Sequence, residues 1–125
     1  MSAPGVPSLI RRSSVALVDH DRFSLTCSRA LGAVVVRVEG DLDAAAAGEL
    51  QTHLAELIEG QGNLDIILDL SGLTSFDATG VEVFLDALGR LRQRGGELTL
   101  SAPSPVVGSL LERTGLNRQL PITRL

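Results

Sequence analysis

Leu64-Asp-Ile-Ile-Leu-Asp-Leu70 is a short, nearly continuous apolar run lying between two stretches whose apolar residues repeat with a helical period. Upstream, Leu50, Leu54, Leu57 and Ile58 fall on one helical face, and Gly60 and Gly62 end that helix. Downstream, Val81, Phe84, Leu85, Leu88 and Leu91 make the buried stripe of a helix from about Thr79 to Arg94, stopped by Gly95-Gly96. A strand reached and left through helices pairs in parallel with its neighbours and is covered on at least one face.

The rest of the chain extends this order. Phe23, Leu25 and Cys27 alternate with polar residues, and Val34, Val36 and Val38 repeat the alternation, which predicts a β-hairpin. Gly40-Asp41-Leu42-Asp43 breaks its second strand and opens the first helix. Glu97 to Ser101 gives another strand. Ser104 as N-cap, Pro105 at the first helical position and Gly115 just past the end punctuate a third helix, with Val106, Val107, Leu110 and Leu111 inside it. Leu120 to Leu125 closes the sheet. The expected fold is α/β, in the order ββαβαβαβ, with a mixed sheet of four to five strands and three or more helices packed on it.

With 125 residues the chain suits one domain, read as residues 21–125 behind a flexible N-terminal tail of residues 1–20. Within the tail, Arg11-Arg12-Ser13-Ser14 reads as a solvated run more readily than as a basic kinase site. Hydrophobic residues at 44% can fill a core, but aromatics are 2%, so that core is aliphatic and base stacking is not a binding mode. A net charge of −4 gives no field for phosphate backbones, which argues against nucleic acid. The apolar runs fall short of the roughly 18–20 residues that cross a bilayer, and Pro4, Pro7, Arg11 and Arg12 interrupt any secretory signal. The expectation is a cytoplasmic protein without membrane insertion. The lone Cys27 is read as a core residue.

Signatures of catalysis are missing. There is no nucleophile elbow, zinc-binding His pair or dinucleotide loop, and His20 and His53 fall in the tail and on a helix. All 11 basic residues are Arg, which removes Lys chemistry. Asp41, Asp43, Asp69 and Asp77 sit at or after strand ends, where four acids could hold Mg²⁺ as in a two-component receiver. Such receivers also use a Lys, which this chain lacks; the simpler role for Asp41 and Asp77 is to cap or flank helix starts, and that plainer role is the one preferred for Asp41 and Asp43. No enzyme, cofactor or metal is expected.

The stretch Ser71 to Leu85 leaves the strand and presents Thr-Gly-Val-Glu82, which fits a capping box between Thr79 and Glu82. A hydroxyl at a helix N-terminus, among unpaired amides, is also well placed to carry a phosphate.

Three segments carry a family resemblance: Val-Glu-Gly-Asp-Leu-Asp43, Leu-Asp-Leu-Ser-Gly-Leu-Thr-Ser-Phe-Asp-Ala-Thr-Gly-Val81, and Gly-Gly-Glu-Leu-Thr-Leu with the following Ser-Pro helix and Thr-Gly-Leu116. Their order and spacing over residues 23–120 resemble a STAS domain of the bacterial anti-sigma-factor antagonists. The resemblance implies a phospho-switched binding module. Unmodified, it sequesters an anti-sigma factor of the ATP-dependent serine-kinase type and so frees a sigma factor; that kinase phosphorylates the residue matching Thr79, and a metal-dependent serine/threonine phosphatase restores the unmodified form. The partner-binding positions it implies are Asp41, Asp43, Asp77, Ala78, Thr79, Gly80 and Glu82. Two of these depart from the family pattern: Ala78 replaces a hydroxyl residue, and Glu82 stands where Gly is usual. The same fold also serves as a subunit of lipid or anion transporters and as a stressosome-like scaffold, and both remain alternatives.

Overall fold

The computed structural model describes residues 15–20 and 22–123. Six strands lie in one sheet in sequential order: β1 (Val15–His20), β2 (Phe23–Ala30), β3 (Ala33–Leu42), β4 (Asp65–Phe76), β5 (Glu97–Ser101) and β6 (Ile122–Thr123). The pairs β1/β2 and β2/β3 are antiparallel, and β3/β4, β4/β5 and β5/β6 are parallel. Each parallel pair is joined through helix: α1 (Ala44–Ala55) running into a π-helical turn at Glu56–Gly60, α2 (Ala78–Gln93), and α3 (Pro105–Thr114) with the short α4 (Leu116–Gln119). The α/β class and mixed sheet are those expected from the sequence.

Alternation decides which face is covered. Val34, Val36, Val38, Ile66, Leu68, Leu70, Leu98 and Leu100 are all buried, and between them Val35, Arg37, Ile67, Asp69, Thr99 and Ser101 are half-buried or exposed. One face of the sheet therefore lies under helices, and each aliphatic side chain buried there contributes about 1.5–3 kcal/mol. Leu50, Leu54, Leu57, Ile58, Phe84, Leu88 and Leu91 meet it from above, as their helical spacing requires.

The structure departs from the sequence reading in several places. Residues 15–20, read as the end of a flexible tail, form β1: Val18 is buried and paired with Leu25, which adds a strand at the sheet edge. Residues 1–14 lie outside those described, and with them the Arg11-Arg12-Ser13-Ser14 run. Of the closing strand expected over 120–125, residues 122–123 are a strand and 124–125 lie outside the described residues.

The strand expected to stop at Leu70 runs on to Phe76. Against β3 it carries two irregularities, so that Arg37 and Glu39 face Asp69 and Gly72, and Gly40 and Asp41 face Leu73 and Ser75. Each accommodates one extra residue on β4, and such bulges bend and re-aim a strand. Polar Ser71 and Thr74 fit there because their groups have partners: the Ser71 amide donates to the Asp69 carboxylate (2.9 Å) and the Thr74 hydroxyl to the Gly40 carbonyl (2.8 Å). Gly40 has φ +98°, and a Cβ there would lie 2.0 Å from the Arg22 carbonyl oxygen, so it permits the close crossing in which the Asp41 amide donates to Arg22 (3.0 Å).

Ser104 caps α3 by accepting from the Val107 amide, with Pro105 inside the start and Gly115 at the end, as expected. Val106, expected inside, is 63% exposed, because the third-helix stripe that packs is Val107 and Leu111.

Candidate functional site

The carboxyl ends of β3 and β4 lie side by side, with Asp41 opposite Ser75 and Leu42 opposite Phe76. This register brings Asp41, Asp43, Asp77, Ala78 and Thr79 to one end of the sheet. Asp41 is exposed and its carboxylate accepts from the Ser75 hydroxyl (2.7 Å). Asp43 is the N-cap of α1, accepting from the Ala46 amide at 2.9 Å, in the helix-starting role assigned from the sequence. Asp69 lies further back along β4, half-buried on its uncovered face. Among the described residues no three His, Cys, Asp or Glu side chains are grouped so as to hold a metal ion.

The start of α2 corrects the capping box. Asp77 has extended backbone (φ −119°, ψ −167°), and its Oδ1 accepts from the amides of Thr79 (2.9 Å) and Gly80 (3.4 Å). Asp77 is therefore the N-cap, and Thr79 already lies in the first helical turn. An extended residue at the strand end, carrying a charged acceptor, takes the cap that Thr79 was expected to hold. The Val81 amide donates to the Asp77 carbonyl (3.2 Å). The amides expected to be open around Thr79 are thus occupied, and a phosphate on Thr79 would meet the Asp77 carboxylate as well as the helix dipole.

Thr79 is half-exposed and, among the described residues, its hydroxyl makes no hydrogen bond to the protein. Ala78 and Glu82 are exposed beside it. Gly80 is buried: a Cβ there would lie 3.0 Å from Leu42 Cδ2 and 3.2 Å from Phe76 Cβ. It therefore acts by letting α2 close onto the strand ends, and so sets where Thr79 is displayed.

Beyond Ala78 an open groove of about 500 Å³ runs between α2 and α3, with Phe76, Val81 and Leu110 as its apolar lining and Asp77, Glu82 and Thr114 at its margin. Phe76 is held by Phe84, ring centroids 5.8 Å apart and tilted by 55°. Sequence reading placed Val81 and Leu110 in core stripes. Both are half-buried, and their groove role depends on how α2 and α3 sit together, which helical spacing does not report.

At the far end, Cys27 is half-buried rather than fully in the core, and burial pushes its thiol above the ordinary range against the opposing effect of Arg29.

The STAS domain family profile matches residues 25–124. The chain is 31% identical over 91 residues to the anti-sigma F factor antagonist of Paenibacillus polymyxa, covering 73% of this chain and 78% of that one. It is 35% identical over 81 residues to the anti-sigma-B factor antagonist of Staphylococcus aureus, covering 65% and 74% respectively. The solved structure of the Bacillus cell fate determinant SpoIIAA in its phosphorylated form has the same fold, with a TM-score of 0.61 and 24% identity over 80% of this chain and 89% of that one. Fold and site thus define a STAS domain. The chain belongs to the anti-sigma factor antagonists, a family of non-enzymatic switch proteins. No helix among its described residues is long and apolar enough to cross a membrane.

Proposed function

We propose that the unphosphorylated chain binds an anti-sigma factor in the cytoplasm through the end of the sheet that carries Asp41, Asp43, Asp77, Ala78, Thr79 and Glu82, and so releases a sigma factor for transcription. The anti-sigma factor is of the ATP-dependent serine-kinase type, and Thr79 is the phosphoacceptor. The observation that carries this reading is Thr79 itself: a hydroxyl displayed in the first turn of α2, clear of the cap and of other hydrogen bonds among the described residues.

In the transfer, the Thr79 hydroxyl oxygen bonds to the γ-phosphorus of ATP, its proton passes to a base on the kinase, and ADP leaves. Hydrolysis by a metal-dependent serine/threonine phosphatase returns the hydroxyl and inorganic phosphate. The phosphate brings about −1.5 to −2 charges next to Asp77. In the docked complex it would also face the nucleotide phosphates of the kinase, so bulk, desolvation and repulsion all oppose rebinding. That a SpoIIAA of the same fold has been solved in a phosphorylated form supports this reading.

Incubation with anti-sigma kinases and ATP, followed by phosphosite mapping, tests it. Phosphate on Thr79, with Thr79→Ala binding the kinase constitutively and Thr79→Glu binding poorly, is the expected result. Transfer to another residue, or equal binding by the two variants, removes the switch.

A further inference from the structure

The groove between α2 and α3 is apolar inside and acidic at one margin. Phe76, Val81 and Leu110 line it, whereas Asp77 and Glu82 on the α2 side are exposed. The hydroxyl of Thr114, on the α3 side, already donates to the carbonyls of Leu110 and Leu111 (2.9 and 3.1 Å), so it needs no partner from outside. The described Arg residues that form ion pairs spend them elsewhere: Arg37 on Glu39, Arg90 on Glu59 and Asp86, and Arg92 on Glu97. Glu82 has no cationic partner among the described residues, and Asp77 uses one oxygen on its cap. The groove is continuous with the Thr79 turn through Ala78.

An apolar hollow beside unpaired carboxylates is complementary to an apolar side chain with a positive charge next to it. We propose that this groove seats an aliphatic side chain of the anti-sigma factor flanked by a Lys or Arg, and that Glu82 selects for the cation. The inference rests on the reading of the preceding subsection. It divides the docking work: Val81 and Leu110 hold the complex together by excluding water, and Glu82 accelerates and orients its formation.

The test is association and dissociation of the full chain with its anti-sigma factor, measured by surface plasmon resonance at low and high salt. Glu82→Gln, an exposed change that leaves folding intact, is expected to slow association about 3- to 10-fold at low salt and to flatten the salt dependence. Leu110→Ser is expected to speed dissociation about 10-fold or more without altering the salt slope, with circular dichroism confirming that the variant is folded. An association rate and salt slope unchanged by Glu82→Gln, in a chain that still binds, overturns the inference and leaves the proposed function standing. Concentration-dependent self-association weakened by Leu110→Ser, with anti-sigma binding unaffected, would put a second copy in the groove and also overturns it. A wild-type chain that binds no anti-sigma factor overturns the proposed function.

Discussion

Replacing Asp77 by Asn and by Ala separates the two roles its carboxylate plays at the start of α2. One oxygen accepts from two amides, at 2.9 and 3.4 Å, and losing such a cap costs about 0.5–2 kcal/mol. The negative charge at the helix N-terminus adds about 0.3–1 kcal/mol. Because Asp77 is exposed and its second hydrogen bond is long, the lower halves of those ranges apply. Asp77→Ala should destabilise the domain by about 1–1.5 kcal/mol, lowering Tm by about 3–6 °C. Asp77→Asn keeps an acceptor and loses only the charge, so it should cost about half as much or less. In the phosphorylated chain, relief of repulsion by Asp77→Asn should narrow the stability gap between phosphorylated and unphosphorylated forms. Urea unfolding of wild type and both variants, with and without phosphate, measures all of these. An Asn variant as unstable as the Ala variant would refute the hydrogen-bonded cap, and a stability gap unchanged by Asn would refute the repulsion.

Gly80→Val forces methyl groups against Leu42 and Phe76 and should cost about 1–3 kcal/mol, whereas Gly89→Ala in the same helix, with nothing within 4 Å of its added carbon, should gain about 0.5–1 kcal/mol; urea denaturation of the pair checks both signs. Val18→Ala should lower global stability by about 2 kcal/mol, since two buried carbons are lost from β1, and a silent substitution would mean that β1 does not dock. Because burial raises the Cys27 pKa in the folded state, this group's stabilising effect is fully present below the ordinary thiol range and is lost as pH rises through the folded pKa. Iodoacetamide should accordingly label the folded chain more slowly than the urea-unfolded chain at mildly alkaline pH, and equal rates would contradict the shift.

What the sequence disclosed depended on how local the cause was. The third helix was legible to the residue at both ends, because Ser104, Pro105 and Gly115 act on amides and carbonyls within one turn. The period placed Leu50 and Leu54 of α1 and Phe84, Leu88 and Leu91 of α2 in the core, while Val81 and Leu85, expected in the same stripe, are half-buried. The extension of β4 was not legible, since it depends on a bulged register against β3 in which Thr74 finds the Gly40 carbonyl as its partner, and polar residues with Gly72 otherwise read as a turn. β1 escaped for a similar reason: a short apolar patch becomes a strand only when β2 offers Leu25 and Cys27 as partners.

At the candidate site, the resemblance pointed to Thr79, and the structure arranges its surroundings differently from the capping box that the spacing suggested. Thr79 and Glu82 satisfy the spacing of a capping box, and Asp77, two residues earlier, satisfies capping by itself. The extended conformation in which β4 delivers Asp77 decides between them. The buried position of Gly80 likewise follows from the approach of Leu42, a residue of another strand.

Calorimetric titration of an anti-sigma factor with the unmodified chain and with the chain phosphorylated on Thr79 tests the switch most directly. The proposed switch predicts a stable complex with the unmodified chain and binding weaker by about 100-fold or more, or roughly 2.7 kcal/mol, once the phosphate is present. Equal affinity for the two forms would contradict it.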